Sequence, residues 1–276
     1  MKYGLLMPLT FQSIDKNIEL VNQLENENID SLWLRDIPLI QTSNTDFGSK
    51  LDIFTQLTYM AEKVNQRYIL GSAVINTGFR TVIPTINAMM SLISLYPNRK
   101  FDFGIGEGTK QEAFQATQLD WGNKTKEFIK WITKYNELSE KVFQNKIKVG
   151  DAYMTWPKKV SSLPKLTLST KNEEVINKFS SIIESDILWF STQDEIKNLQ
   201  LKFSNTNFQL FLSVDLVENF DGIDYINKGQ KFIRLSPETL VALAAEYKTL
   251  GISRIILSIN NSENINTTLN KLLEKI

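Results

Sequence analysis

The chain of 276 residues has no cysteine and no histidine. Without cysteine there are no disulfides, no thiolate nucleophile and no thiolate metal site. Without histidine the commonest general base, the Ser–His nucleophile pair and most zinc sites are excluded as well. An excess of charge is also missing, since 31 Lys and Arg balance 31 Asp and Glu. No basic patch interleaved with aromatics occurs, so neither nucleic acid nor an anionic membrane is expected as a partner. Nor does any run approach the roughly 18 apolar residues needed to cross a bilayer. The opening MKYGLLMPLTFQ lacks the apolar core and small-residue cleavage site of a signal peptide. These absences predict a cytoplasmic protein acting on a small molecule. Chemistry carried by a bound organic cofactor fits them most comfortably, with carboxylate-only hydrolysis still open.

What is present is a regular alternation. Apolar runs at 3–9, 31–36, 67–76, 100–106, 165–170, 186–191, 208–216 and 254–260 read as strands. Helical spacing follows them at 13–29, 51–65, 81–96, 110–118 with 124–144, 172–182, 192–203 and 236–251, and a last helix closes the chain. The run RYILGSAVIN has the near-continuous hydrophobicity of a parallel strand covered on both faces. Segment 145–164, with Trp156-Pro157 and Pro164, reads as irregular. Eight strand–helix units predict α/β architecture, a (β/α)8 TIM barrel. No Pro/Gly/Ser linker divides it, so residues 1–276 are expected to form a single domain. An open doubly wound sheet is the alternative.

In such a barrel the site lies at the carboxyl ends of the strands. There the sequence offers three carboxylates, Asp36, Glu107 and Asp215, and three cations, Arg35, Arg80 and Arg234. Asp36 and Glu107 are the catalytic candidates. Asp36 could equally serve a strand-end ion pair with Arg35. Three carboxylates would also suit Mg²⁺, although no motif supports a metal. The stretch KFDFGIGEG (100–108) lies too far into the chain for a dinucleotide fingerprint. Gly106 and Gly108 would let a flat ring approach the backbone, or simply let the strand turn. Asn76, Thr77, Ser169 and Thr170 add hydroxyls and amides to the rim. Arg234 with Ser236-Pro237 makes a good helix start and a seat for phosphate.

SLWLRDIPLI, LDIFTQLTYMAEKVNQRYILGSAVIN and NRKFDFGIGEGTKQEAFQATQLDWG together resemble the luciferase-like flavin-dependent oxidoreductases. The segments PKLTLSTKNEEVINKFSSIIESDILWFST and FIRLSPETLVALAAEYKTLGISRIILSIN continue the likeness, the second being similar to a bacterial subgroup of luciferase-type oxidoreductases. The resemblance implies a luciferase-like barrel that binds FMN, used in its reduced form, with the deazaflavin cofactor as the less favoured choice. It implies a monooxygenase joining dioxygen to a small organic substrate, a possible flavin reductase as partner, and a homodimer. The cofactor-binding residues it suggests are Asn76, Thr77, Arg80, Gly106, Gly108, Ser169, Thr170, Arg234 and Ser236. The chain departs from the family at Thr81-Val82, where His-Pro is usual, and at Glu107-Gly108-Thr109, where the subgroup has Ser-Gly-Asp. Those departures keep two other readings in view: a non-catalytic flavin- or ligand-binding barrel, and a carboxylate-dependent hydrolase or lyase.

Overall fold

The computed structural model describes residues 1–7, 14–24, 27–37, 51–108, 111–116, 118–157, 162–189, 191–218, 220–228, 230–259, 272 and 274–275. The chain runs through β1 (Lys2–Leu6), α1 (Ile14–Gln23), β2 (Ile29–Leu34), α2 (Ile53–Lys63), β3 (Ile69–Asn76), α3 (Val82–Leu95) and β4 (Phe101–Gly106). Next come α4 (Gln111–Ala116) and α5 (Lys124–Ser139), then β5 (Val142–Phe143), β6 (Lys146–Val149) and β7 (Ala152–Thr155). The alternation resumes with β8 (Leu166–Leu168), α6 (Glu173–Lys178), β9 (Ile183–Trp189), α7 (Gln193–Lys202) and β10 (Asn207–Leu216). It ends with β11 (Asp224–Lys228), β12 (Gln230–Leu235), α8 (Pro237–Thr249) and β13 (Ile252–Ile259).

Eight parallel strands close on themselves in the order β1-β2-β3-β4-β8-β9-β10-β13, with β13 pairing back to β1. This is the expected barrel, and the open sheet is excluded by the closure. The helices lay one apolar stripe each against it. On α1 those residues are Ile14, Ile18 and Val21, and on α5 Phe128, Trp131, Ile132, Tyr135 and Leu138. The helix start expected at Ser236-Pro237 is present, and a second cap joins it. Ser236 accepts the Thr239 amide at 3.2 Å ahead of Pro237 at the first turn of α8, and Thr192 with Glu195 forms a capping box on α7.

Two stretches depart from the sequence reading. Segment 145–164 is not wholly irregular, because β5, β6 and β7 form a three-stranded antiparallel sheet. Gln144 and Asn145, at φ 46° and 61°, make the two-residue turn between β5 and β6, a geometry in which both turn residues have positive φ. Residues 217–235 contain the β11–β12 hairpin, whose second strand extends the barrel wall alongside β10. A third difference is a boundary. Ile29 belongs to β2, paired with Tyr3, rather than to the preceding helix. The expected closing helix lies mostly outside the described residues, although Leu272 is buried and helical.

The lumen has its own apolar cluster of Leu6, Trp33, Ala73, Ile187, Phe211 and Ile256. Trp33 is fully buried, and its indole donates to Ser31 Oγ at 2.9 Å. Room for the ring comes from two glycines. A Cβ on Gly4 would lie 2.4 Å from Trp33 Nε1, and one on Gly71 would lie 2.4 Å from Cε3. Below this slab, at the amino ends of the strands, sits a polar layer. Arg254 holds Asp30 through two bonds of 2.9 and 2.8 Å and donates to Gln209 at 3.0 Å. Gln209 reaches Ser185 Oγ at 2.8 Å, and Asp102 accepts from Thr167 and from Gln209. Burial pushes the Asp102 carboxyl up, against the pull of Thr167, Arg254 and Gln209. The closed lower end leaves the carboxyl ends of the strands as the place for a ligand.

Candidate active site

Side chains alternate in and out along a barrel strand. On β2 this sends Ser31 and Trp33 inward, and Arg35 continues that series, with its guanidinium over the Phe211 ring. Asp36 takes the opposite face. Its side chain is buried and it accepts from Arg80 Nε at 2.6 Å, Arg80 Nη2 at 2.7 Å and the Asn76 amide at 3.1 Å. The strand-end ion pair of Asp36 is therefore made with Arg80. Arg80 Nη2 also reaches Asp52 Oδ2 at 2.6 Å, and Asp52 caps α2 by accepting the Phe54 and Thr55 amides. Burial alone would raise the Asp52 carboxyl, but Arg80 and the two amides hold it below its usual range. The hydrogen bond to Asp36 raises Arg80 in turn. One arginine thus ties the end of β2 to the loop after β3 and to the start of α2.

The glycine run of β4 is explained by close packing within the protein. A Cβ on Gly104 would lie 2.0 Å from the Ser72 carbonyl oxygen, and Ser72 Oγ donates to the Gly104 carbonyl at 2.9 Å. At Gly106 a Cβ would lie 2.7 Å from Val74 Cγ2. Gly108 has φ +81° and Asn76 packed against it, with Nδ2 at 2.6 Å from a notional Cβ. The Thr77 amide and hydroxyl both donate to the Gly106 carbonyl, at 3.0 and 3.1 Å. Asn76 Oδ1 accepts the Gly78 amide at 3.0 Å. Along this seam the β3–β4 register shifts between Ser72 and Ile75, and the Ala73–Val74 peptide is cis. Asn76, Thr77, Gly106 and Gly108 are thus brought together as one interlocked strand end.

No protein-family model and no curated protein matches this sequence. Solved structures do match, over essentially the whole chain. An F420-dependent secondary alcohol dehydrogenase in complex with an F420-acetone adduct has a TM-score of 0.70 at 11% identity, covering 100% of this chain and 98% of its own. The monooxygenase RslO1 from Streptomyces bottropensis gives 0.71 at 12% identity, with the same coverage. The oxygenating constituent of 3,6-diketocamphane monooxygenase from Pseudomonas putida, in complex with FMN, gives 0.69 at 11%, covering 100% and 96%. The chain has the luciferase-like barrel fold.

The remaining candidates sit around the mouth of this luciferase-like barrel. Glu107 follows β4 and pairs with Lys124 at 2.9 Å, while Thr125 donates to its other oxygen. Ser169 and Thr170 follow β8. The Ser169 amide donates to the Ile105 carbonyl at 2.9 Å, and the Thr170 amide to Asp186 Oδ1 at 3.1 Å. Arg234, on β12, donates to Asp215 Oδ2 at 2.9 Å and is 40% exposed, close in the chain to the buried Ser236 cap. Two groups escaped the sequence reading. Asp186 was hidden in an apolar strand, and Trp189 stacks on Phe211 with ring centroids 3.9 Å apart. The alternation of DILWF would have placed Trp189 on the lumen side once the register was known. Among the described residues no cluster of acidic side chains could hold a metal ion, and no helix is long and apolar enough to cross a membrane.

Proposed function

We propose that this luciferase-like barrel is a flavin-dependent oxidoreductase, with FMN as its cofactor and a monooxygenase reaction on a small organic substrate. The observation that carries the reading is full-length agreement with this fold together with a lumen whose open end is apolar and aromatic. Val74 and Trp189 are only partly buried against the inner cluster, so a flat ring has walls to lie on. The anionic end of the cofactor is served by Arg234, whose guanidinium keeps donors beyond the one it gives Asp215, near the amino end of α8, where the helix dipole favours negative charge. Ser236 supports that seat by holding the helix start. Asn76, Thr77, Gly106 and Gly108 shape the wall beneath the ring, and Ser169 and Thr170 close it on the next strand. When bound, reduced FMN would supply the electrons that activate dioxygen or a substrate.

The protein's own part is to bind, orient and handle protons. With no histidine, a proton comes from a carboxylate, a tyrosine or water. Glu107, 30% exposed at the strand end and paired with Lys124, is placed to exchange one with solvent. Asp36 acts by position, since its oxygens are committed to Arg80 and to the Asn76 amide. We further assign the protein to the cytoplasm, as a homodimer supplied with reduced flavin by a separate reductase. A second reading, a flavin-binding barrel without turnover, is favoured by one observation: both candidate carboxylates are held in ion pairs.

The test is a titration of the protein with oxidised FMN, anaerobically reduced FMN and the deazaflavin F420, followed by cofactor fluorescence. Micromolar binding of FMN supports the reading, and preference for F420 moves the cofactor assignment. Silence with all three refutes it. Oxygen uptake with reduced FMN and added small substrates then separates the enzyme from the mere binder.

A further inference from the structure

β2 and β10 are separated around the barrel by β1 and β13. Even so, the Arg35 guanidinium carbon lies 5.6 Å from the centroid of the Phe211 ring on β10. The arginine therefore spans the lumen instead of lying along its rim, and its charge stands above the apolar floor made by Trp33, Phe211 and Ile256. Phe211 is backed by Trp189 in a stack. Ser213 and Ser258 are register partners on β10 and β13, one inward position above Phe211 and Ile256, and both are buried. A cation, an aromatic platform and two hydroxyls thus meet where a substrate would enter.

Building on the flavin-dependent reading, we propose that the organic substrate is an anion, a carboxylate or sulfonate, whose head group is bound by Arg35 while its apolar body lies against the part of Trp189 left open beside the Phe211 stack. A guanidinium is planar and carries five N–H donors, so it serves protein neighbours and an oxyanion together, the oxyanion often through two parallel bonds. The aromatic face beneath it favours the cation and fixes its plane. In a lumen shielded from water the attraction is stronger than at a surface. Ser258 offers a hydroxyl to the oxygens that Arg35 leaves.

The probe is phenylacetate against phenylacetamide, which share a shape and differ in charge. Binding of each to the full chain is measured by calorimetry, with and without FMN. Phenylacetate should bind about tenfold more tightly or better, and added salt should weaken it. Arg35→Met should abolish the preference, and Arg35→Lys should retain part of it. Equal affinity for the two ligands, a preference that survives Arg35→Met, or no phenylacetate binding in the millimolar range would each overturn the assignment. The wild-type comparison stands alone if a variant misfolds. FMN binding without the acid preference defeats this inference only. The acid preference without FMN binding defeats the flavin reading and leaves the anion site in place.

Discussion

Asp186 lies on the outer face of β9, fully buried, between register partners Leu168 and Phe208. Its Oδ1 accepts the Thr170 amide, while Oδ2 makes no hydrogen bond among the described residues. Burial pushes this carboxyl up to about 8, the backbone hydrogen bonds from Thr170 and Ile187 offsetting only part of the cost. The folded protein therefore keeps the proton at neutral pH, whereas the unfolded chain loses it near the ordinary value of 3.8. Between those limits the folded state binds more protons, so stability is fully present below pH 4 and declines as pH rises toward 8. The slope is at most about 1.4 kcal/mol per pH unit, or roughly 3 kcal/mol between pH 5 and 7. Asp186→Asn has the shape of the protonated acid and does not titrate. Urea denaturation of both proteins at pH 5, 6 and 7 isolates the contribution, since every other group is shared. The wild type should lose stability relative to Asp186→Asn by about 1 kcal/mol per pH unit over this range. A difference that stays constant with pH, or that moves in favour of the wild type as pH rises, would refute the argument and mean that the carboxylate is charged in the fold.

Two further outcomes follow from the strand ends. Gly104→Ala places a methyl carbon 2.0 Å from the Ser72 carbonyl oxygen, so β3 and β4 must part. We expect a loss of about 4 kcal/mol or more and a melting temperature lower by roughly 8 °C; a melt within a degree or two of the wild type would contradict the packing described. Arg80→Met strands the buried Asp36 carboxylate and should cost about 3–5 kcal/mol. Adding Asp36→Asn should restore part of that stability, and strictly additive losses in the double-mutant cycle would show that the pair is not coupled.

The barrel was legible in the sequence because each strand carries enough apolar residues to mark its period, and each helix a stripe. The small sheet of β5–β7 was not, since its turns are Gln144-Asn145 and Gly150-Asp151 and its strands are only two to four residues long. The second turn, a Gly-Asp between KIKV and AYMT, is the one hairpin signal that this stretch carries. The site was legible as a set of residues but not as a set of partnerships. Sequence placed Arg35, Asp36 and Arg80 at strand ends, yet which arginine takes the carboxylate depends on the facing of adjacent residues and on the reach of a loop. Likewise the glycines of β4 announce a close approach without saying what approaches. Here it is Ser72, Val74 and Asn76 from the neighbouring strand.

Trp33 and the two glycines that flank it behave as a single unit of heritable change. Neither glycine can gain even a methyl group while the indole is present, and a smaller residue at position 33 alone would leave a void costing about 3–5 kcal/mol. Passage from this lumen filling to another therefore requires substitutions at three positions far apart in the chain, each of them harmful if made alone. The route that avoids a broken intermediate begins with shrinking the indole in a background stabilised elsewhere, after which position 71 is free to grow and position 4 follows once the Ser31 hydroxyl, 2.8 Å from a Cβ there, turns away. Libraries aimed at reshaping the mouth should vary these three codons together or leave all of them alone.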